Sequence, residues 1–404
     1  MLTFITSSRT KKILFALFLI SNSPSIWAYA ITPELELKAF VAQDYVYTNN
    51  NPYATDDTLG DGSFDFREAG LNLNWNVTPK VRFNVQALAR QEGEMTANGL
   101  TLDLALLDYN FLQTLSQDGG VRLGRVKTPY GFYNDSRDLP SARPGVFLPS
   151  IYFNNIRSLM LSTDGINFYD TLELEQGTLS FDLYYGQRQL EDSTLEYKYL
   201  SQDYDGADFN KLDKVGLKFQ FEPAHIQGLS FAYSLLHIES NITPAPVEVD
   251  GLTVNKFEVQ TIHHLLSVQY RFNNVILTAE GMRAKNHVKS SFTPDNIVTV
   301  PEYLDAEGYY LQAEWAISPK LSTLVRYEEY TPYLDPRYKL NSNYSSNSYN
   351  FAIRWNLTPN WMLQAHYAQH EGNADLPAYP GLGSVTDFGK SWDIFALQIS
   401  YQLN

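Results

Sequence analysis

The 404-residue chain contains no cysteine, and this absence excludes several kinds of chemistry. Without thiols the protein has no disulfide framework, no zinc–thiolate centre and no cysteine nucleophile. Basic residues are also scarce: 30 Lys and Arg stand against 45 Asp and Glu, which gives a formal net charge of −15. That balance argues against a nucleic-acid partner, which needs a basic surface.

Long apolar runs are missing too, because beyond residue 30 none approaches the roughly 20 residues of a membrane-spanning helix. The first thirty residues have the features of a secretory signal peptide. Three basic residues precede a short apolar stretch at 13–20, and Ala28 and Ala30 fit a signal-peptidase site. We predict that residues 1–30 are cleaved, which changes the formal charge from −15 to −18 and leaves a mature domain at 31–404.

The mature part instead shows an alternation of apolar and polar residues. Residues 69–77 follow a period of two, and similar runs occur at 81–87, 179–185, 309–317 and 349–357. Such runs form strands with one apolar and one more polar face. Many reach about nine to twelve residues, the length of a tilted transmembrane strand and longer than the five or six usual in soluble sheets.

Link lengths separate a membrane barrel from a soluble sandwich, whose apolar faces would form a core. Tight turns such as 78–80 and 358–360 alternate with long polar links such as 48–63 and 128–163. Short turns on one rim and long loops on the other are typical of an outer-membrane barrel. We predict a single all-β domain, a transmembrane antiparallel β-barrel of about sixteen strands. The strands should begin near Leu35, Phe64, Val81, Thr101, Gly120, Asp164, Thr178, Val215, Leu229, His264, Val275, Tyr309, Leu321, Tyr349, Trp361 and Trp392.

The stretch from Arg122 to Phe153 reads RLGRVKTPYGFYNDSRDLPSARPGVFLPSIYF. It resembles the Gram-negative porin family, in particular the branch related to phosphate-selective porins, over about thirty residues. The resemblance implies a sixteen-stranded trimeric barrel whose third loop folds inward and narrows the pore. The apolar side chains of residues 146–153 agree with an inward loop, since they would be poorly placed in bulk water. An outward cap or a subunit-contact loop is the alternative.

Charge at the constriction of a pore sets its ion preference. Alternation places three arginines among the inward wall positions: Arg82, Arg326 and Arg354. Four further candidates lie in the third loop: Arg137, Asp138, Arg143 and Arg157. With Asp135, the loop carries three arginines against two aspartates, a weak lean towards anions such as phosphate.

Within residues 122–127 the alternation leaves two orientations open. Either Arg122 or the pair Arg125 and Lys127 faces the lumen, and the resemblance favours the pair. The alternative for these basic residues is the outer rim, where they would contact lipopolysaccharide phosphates.

We therefore expect an outer-membrane porin of a Gram-negative bacterium, a water-filled channel for the passive diffusion of small hydrophilic solutes. The expected partners are outer-membrane lipid, lipopolysaccharide and two further copies in a homotrimer. We expect no nucleic-acid partner, catalytic residue or cofactor. The alternatives are a barrel enzyme and a non-conducting structural or adhesion barrel, although no G-x-S-x-G motif is present.

Two local features stand apart from this prediction. Asp203, Asp205 and Asp208 have a spacing that would suit weak calcium binding, but the rest of an EF-hand is missing. The chain ends in Leu403-Asn404, whereas strands of this family usually end in an aromatic residue read by the assembly machinery. This departure puts that recognition step in question, but it does not affect the barrel prediction.

Overall fold

The computed structural model describes residues 30–95, 99–189, 208–243, 248–249, 252–293, 297–298, 302–303, 305–332, 345–374, 376 and 388–403. None of the helices in these ranges is both long and apolar enough to cross a membrane. The predicted signal peptide falls almost entirely outside these ranges and stays a prediction.

Sixteen long antiparallel strands form the wall of a closed barrel, which confirms the predicted fold. Each pairs with its neighbours in chain order, and β1 pairs with β16 from Ala39↔Leu403 to Thr48↔Ile394, which closes the sheet. The strands are β1 Leu35–Thr48, β2 Ser63–Thr78, β3 Val81–Glu92, β4 Gly99–Gln113, β5 Gln117–Lys127, β6 Ser162–Leu174, β7 Gly177–Arg188, β8 Asp208–Pro223, β9 Leu229–Thr243, β10 Leu252–Phe272, β11 Val275–Thr293, β12 Ala306–Ser318, β13 Leu321–Thr331, β14 Ser346–Asn356, β15 Trp361–Gly372 and β16 Ser391–Leu403.

Four short strands accompany the barrel at its rims: Ala30–Thr32, Glu248–Val249, Ile297–Val298 and Glu302–Tyr303. The largest difference from the predicted starts concerns β10, which begins at Leu252 rather than near His264. Positions 256, 258 and 260, which share the parity of outward Ile262 and Leu266, are Lys, Glu and Gln, so the apolar face that marks a lipid-facing strand is absent there although the pairing with β9 and β11 continues.

The outer face of the wall carries the apolar side chains of the alternation. Leu71, Leu277 and Leu311 are about half exposed, as expected for side chains that meet lipid instead of a protein core. Trp75 and Trp315 are exposed on the same face near tight turns, where aromatic girdles of such barrels lie. The opposite face of the strands points into the lumen and carries the candidate site.

Candidate functional site: the partly occluded lumen

The third loop, residues 128–161, folds into the barrel as predicted. It contains three single turns of 3₁₀ helix, Pro140–Ala142, Ser150–Tyr152 and Asn154–Ile156, followed by a short α-helix, Arg157–Leu161. Because the loop lies inside the barrel, its contacts decide how much of the lumen stays open.

Apolar side chains of the loop form a core with the inner wall. From the loop this core includes Tyr130, Tyr133, Leu148, Ile151, Tyr152, Phe153, Ile156 and Met160. From the wall it includes Tyr184, Leu212, Leu236, Ile238, Leu265, Met282, Ala284, Ala306, Tyr310 and Tyr330. Each large apolar side chain buried in this way contributes roughly 1.5–3 kcal/mol. The loop is therefore held inside the barrel mainly by burial of its own apolar surface.

Two wall carboxylates add hydrogen bonds to this packing. Glu280 of β11 accepts from the Phe132 backbone N–H at 3.2 Å and from the Tyr152 hydroxyl at 2.5 Å. Glu328 of β13 accepts from both the backbone N–H and the hydroxyl of Ser150, at 2.8 and 3.2 Å. Hydrogen bonds to charged groups are stronger than neutral ones, so both carboxylates are effective anchors.

Asp138 joins the loop to the opposite wall. Its carboxylate accepts from Lys127 Nζ at 2.6 Å and from Gln86 Nε2 at 2.8 Å, and it also pairs with Arg157. Arg157 in turn contacts Asp103 of β4 at 2.7 Å. Burial raises the pKa of Asp138, but the charges of Arg157 and Lys127 outweigh it, so that the pKa lies below its usual range. The group is therefore ionised and neutralised by its partners.

The other arginine candidates also hold the loop in place. Arg143 pairs with Glu68 of β2. Arg354 donates to the backbone carbonyls of Ser141, at 3.1 Å, and Arg143, and Arg326 donates to that of Phe147 at 3.3 Å. These four side chains join wall and loop around residues 141–147. Their predicted part in ion preference stays a prediction.

Arg137 lies within the loop itself. It is buried and donates to the carbonyl of Tyr152 at 3.0 Å and to the side chains of Asn134 and Asn154. Burial and the nearby charge of Arg157 lower the pKa of Arg137 to about 9. Its contacts are those of a residue that fixes the loop's conformation.

Arg125 faces away from the lumen, which corrects its predicted orientation. It pairs in register with Asp164 and binds that carboxylate at 2.6 and 2.8 Å, and it donates to the carbonyl of outward-facing Leu102. The pairing of residues 122–125 runs without a register shift, so Arg125 shares the outer face with Leu123. The resemblance therefore favours the wrong orientation for Arg125, at a place where a charged pair interrupts the apolar pattern of the outer wall. Lys127, at the end of β5, instead reaches the loop, where its Nζ donates to Asp138 and, at 2.8 Å, to the backbone carbonyl of Asp135.

Charged side chains on the inner faces of β3, β5 and β7 remain partly exposed in the lumen. Arg82 contacts Asp108 at 2.9 Å, and 54% of the Arg82 side chain is exposed against 7% of that carboxylate. Arg122 contacts Asp108 at 3.7 Å and Asp182 at 3.4 Å, with 33% of its own side chain exposed. Arg82, Asp108, Arg122, Asp182 and Lys218 together are called the open side below.

Asp135 marks where the third loop borders this passage. Half of its side chain is exposed, and its carboxylate lies 3.7 Å from Lys218 Nζ. A charged loop edge is therefore paired with a charged wall at the border of the passage, and charged groups in such a place can select ions.

Sequence reasoning left Arg122 as the alternative to Arg125 and Lys127, and it missed Asp108 as a member of the site. The signal for Arg122 was present, because the apolar residues Val121 and Leu123 flank it and predict an inward side chain. Asp108 carried no such signal, since its role depends on the pairing of β3, β4 and β5.

The suggested calcium ligands cannot be placed, because Asp203 and Asp205 lie outside the described residues, as does the side chain of Asp208. Among the residues that the structure does describe, no group of three or more His, Asp or Glu could hold a metal ion.

A closed sixteen-stranded barrel with a lipid-facing outer wall and a charged passage beside an inward loop is the architecture of an outer-membrane channel. The family model of Gram-negative porins matches residues 17–375. The chain therefore belongs to the Gram-negative porin family and is an outer-membrane protein. No curated protein matches the sequence.

Several solved structures share this fold. The anion-selective porin from Comamonas acidovorans is 15% identical, with a TM-score of 0.57 over 91% of this chain and 99% of that one. The outer-membrane channel DcaP of Acinetobacter baumannii is 11% identical, with a TM-score of 0.54 over 94% and 100%. In-vitro folded OmpT of Vibrio cholerae, in its trimer form, is 11% identical, with a TM-score of 0.53 over 91% and 98%. At these identities the similarity concerns the fold alone.

Proposed function

We propose that this channel allows passive diffusion of small hydrophilic solutes and prefers anions such as phosphate. The observation that carries the preference is the unequal exposure of opposite charges on the open side. Arg82 and Arg122 present their guanidinium groups to water, while Asp108 lies beneath them with 7% of its side chain exposed. An ion in the passage therefore meets positive charge first on this wall.

Opposing charges keep this preference weak. Asp135 is half exposed at the loop edge, and 23% of the Asp182 side chain is exposed. Exposed charges are screened beyond a Debye length of about 8–10 Å in physiological salt. The anion preference should therefore be strongest in dilute salt and decline as the salt concentration rises.

Reversal potentials in a potassium chloride gradient test this proposal on the purified protein in planar bilayers. We expect chloride to be favoured over potassium, and Arg82→Ala and Arg122→Ala each to reduce the permeability ratio by about two- to fivefold. Arg125→Ala is the matched control, because this arginine faces outward. Wild-type selectivity in both lumen variants would contradict the proposal, and a complete lack of conductance would favour a barrel enzyme or a closed barrel.

We also propose that the protein works as a homotrimer surrounded by outer-membrane lipid and lipopolysaccharide, and that it is not an enzyme. The trimer form of the OmpT structure supports the first part, and the exposed apolar outer wall supports contact with lipid. Native mass spectrometry from detergent should give three chains per particle. A monomer under mild extraction would contradict the assembly without affecting the proposed permeation.

A further inference from the structure

We propose that Tyr169 of β6 is a positioning residue that sets the ion preference of the channel by holding Arg122 in the passage. The proposal rests on the proposed anion preference and adds a residue that fixes it. Tyr169 carries no charge, so any effect on selectivity must act through the charged groups that it contacts.

The ring of Tyr169 supports the guanidinium of Arg122. The Arg122 Cζ atom lies 4.0 Å from the ring centroid, within the range of a cation–π interaction. On its other sides Arg122 donates to Asn167 Oδ1 at 3.0 Å and approaches Asp182 Oδ1 at 3.4 Å. The ring and these two polar partners together limit the conformations of the long Arg122 side chain.

The hydroxyl of Tyr169 acts on a second arginine through Asp108. It donates to Asp108 Oδ1 at 2.8 Å, which leaves Asp108 Oδ2 for the guanidinium groups. That oxygen receives Arg82 Nη2 at 2.9 Å and lies 3.7 Å from Arg122 Nε. Because both arginines contact the same oxygen atom, the distance between Arg82 Nη2 and Arg122 Nε cannot exceed the sum of these two contact distances. The hydroxyl therefore orients the carboxylate on which the two arginines converge.

A glycine on the intervening strand makes this arrangement possible. Tyr169 lies on β6 and Asp108 on β4, so the hydroxyl has to cross β5, where Gly120 is the residue paired with Tyr169. A Cβ atom at Gly120 would lie 2.5 Å from the Tyr169 hydroxyl oxygen and 2.7 Å from the carbonyl oxygen of Tyr109. Only glycine leaves room for the ring between Arg122 and the wall.

Replacement of Tyr169 tests the proposal, with the chloride-over-potassium permeability ratio in planar bilayers as the measurement. Tyr169→Leu removes both ring and hydroxyl, and we expect the ratio to fall about two- to fivefold. Tyr169→Phe keeps the ring, and we expect a smaller fall from loss of the bond to Asp108. Tyr185→Leu is the matched control, because that tyrosine is on the lipid-facing surface of the next strand and its loss should leave the ratio unchanged.

A ratio that falls in Tyr169→Leu but not in Tyr169→Phe supports the proposal and assigns the effect to the ring. Wild-type ratios in both Tyr169 variants, with a lowered ratio in Arg122→Ala, would overturn it while the proposed function stands. Wild-type ratios in Arg122→Ala and Arg82→Ala would instead contradict the proposed anion preference itself. If the leucine variant does not assemble, Tyr169→Met, which also removes the ring and the hydroxyl, takes its place, and an unchanged ratio there together with a lowered ratio in Arg122→Ala overturns the proposal.

Discussion

Two sides of the same lumen differ in what the strands present inward. On the anchored side, defined by Leu236, Leu265, Glu280, Tyr310 and Glu328 of β9–β13, apolar side chains and buried carboxylates hold the third loop. On the open side, arginines remain exposed above buried or half-buried carboxylates. The outer faces of both sides are apolar, so the difference is confined to the lumen.

This difference shows that a period of two has separate meanings on the two faces of a barrel strand. Lipid requires apolar side chains on the outer face everywhere. The inner face is free to be apolar where a loop covers it and charged where water remains. Opening the anchored side and changing charge on the open side should therefore have distinct effects, on pore size and on ion preference respectively.

Loss of the Glu280 anchor should give the largest effect. In Glu280→Ala the loop loses two acceptors for its hydrogen bonds, and the hydroxyls of Tyr310 and Ser267 lose theirs. Each such bond to a charged group contributes about 1.5–3 kcal/mol, so we expect the loop to detach part of the time. Single-channel conductance should rise about twofold or become noisy between two levels.

Glu329→Ala is the control for this change. Glu329 of β13 faces outward and accepts from Tyr309 at 2.8 Å, so its loss removes a wall carboxylate without touching the loop. A wild-type conductance in Glu280→Ala would show that apolar packing alone holds the loop.

Charge reversal on the open side should give the second largest effect. In Arg122→Glu a negative group would stand beside Asp108 and Asp182, so we expect the chloride-over-potassium ratio to fall about threefold or more and the channel to favour cations. Conductance should change less than in Glu280→Ala, because no anchor of the loop is lost. A reversal potential that keeps its sign would mean that other charges control permeation.

Removal of the loop-edge charge should have a smaller effect in the opposite direction. Asp135→Asn leaves Lys218 without the carboxylate 3.7 Å away, and we expect the anion preference to increase by about one and a half- to twofold. The same bilayer measurement in dilute salt checks this. An unchanged ratio would show that Asp135 lies outside the path of the ions.

The smallest effect concerns pH. The pKa of Asp138 lies below its usual range, because Arg157 and Lys127 outweigh the effect of burial. A depressed pKa means that the stabilisation is fully present above the ordinary value near 4 and is lost as pH falls through the depressed value. The contribution of Asp138 to loop anchoring, and with it the conductance, should stay constant from pH 8 to about pH 5.

Asp138→Asn should lower the thermal stability of the barrel at pH 7.

The strand pattern and the inward loop could be predicted because both follow from local regularities. Lipid imposes the alternation on each strand, and the apolar side chains of residues 146–153 must be shielded from water whatever position the loop takes. The charged side chains are different, since Arg143 and Glu68 are 75 positions apart and meet only after the loop crosses the lumen. The resemblance predicts Arg125 in the lumen, but its pairing with Asp164 on the next strand is not visible in the sequence, and the role of Tyr169 depends on three strands at once.

Water should reach the open side and not the anchored side, and the absence of cysteine from the sequence allows a direct test. Ser180→Cys would place a thiol on the inner face of β7, two residues from Asp182, whereas Ser234→Cys would place one on β9, where the serine is fully buried and accepts from the Gly131 N–H at 3.0 Å. A membrane-impermeant charged thiol reagent should modify Ser180→Cys rapidly and shift its conductance, while Ser234→Cys should stay unmodified until the loop is detached by Glu280→Ala. Equal rates at the two positions in the native channel would contradict the account.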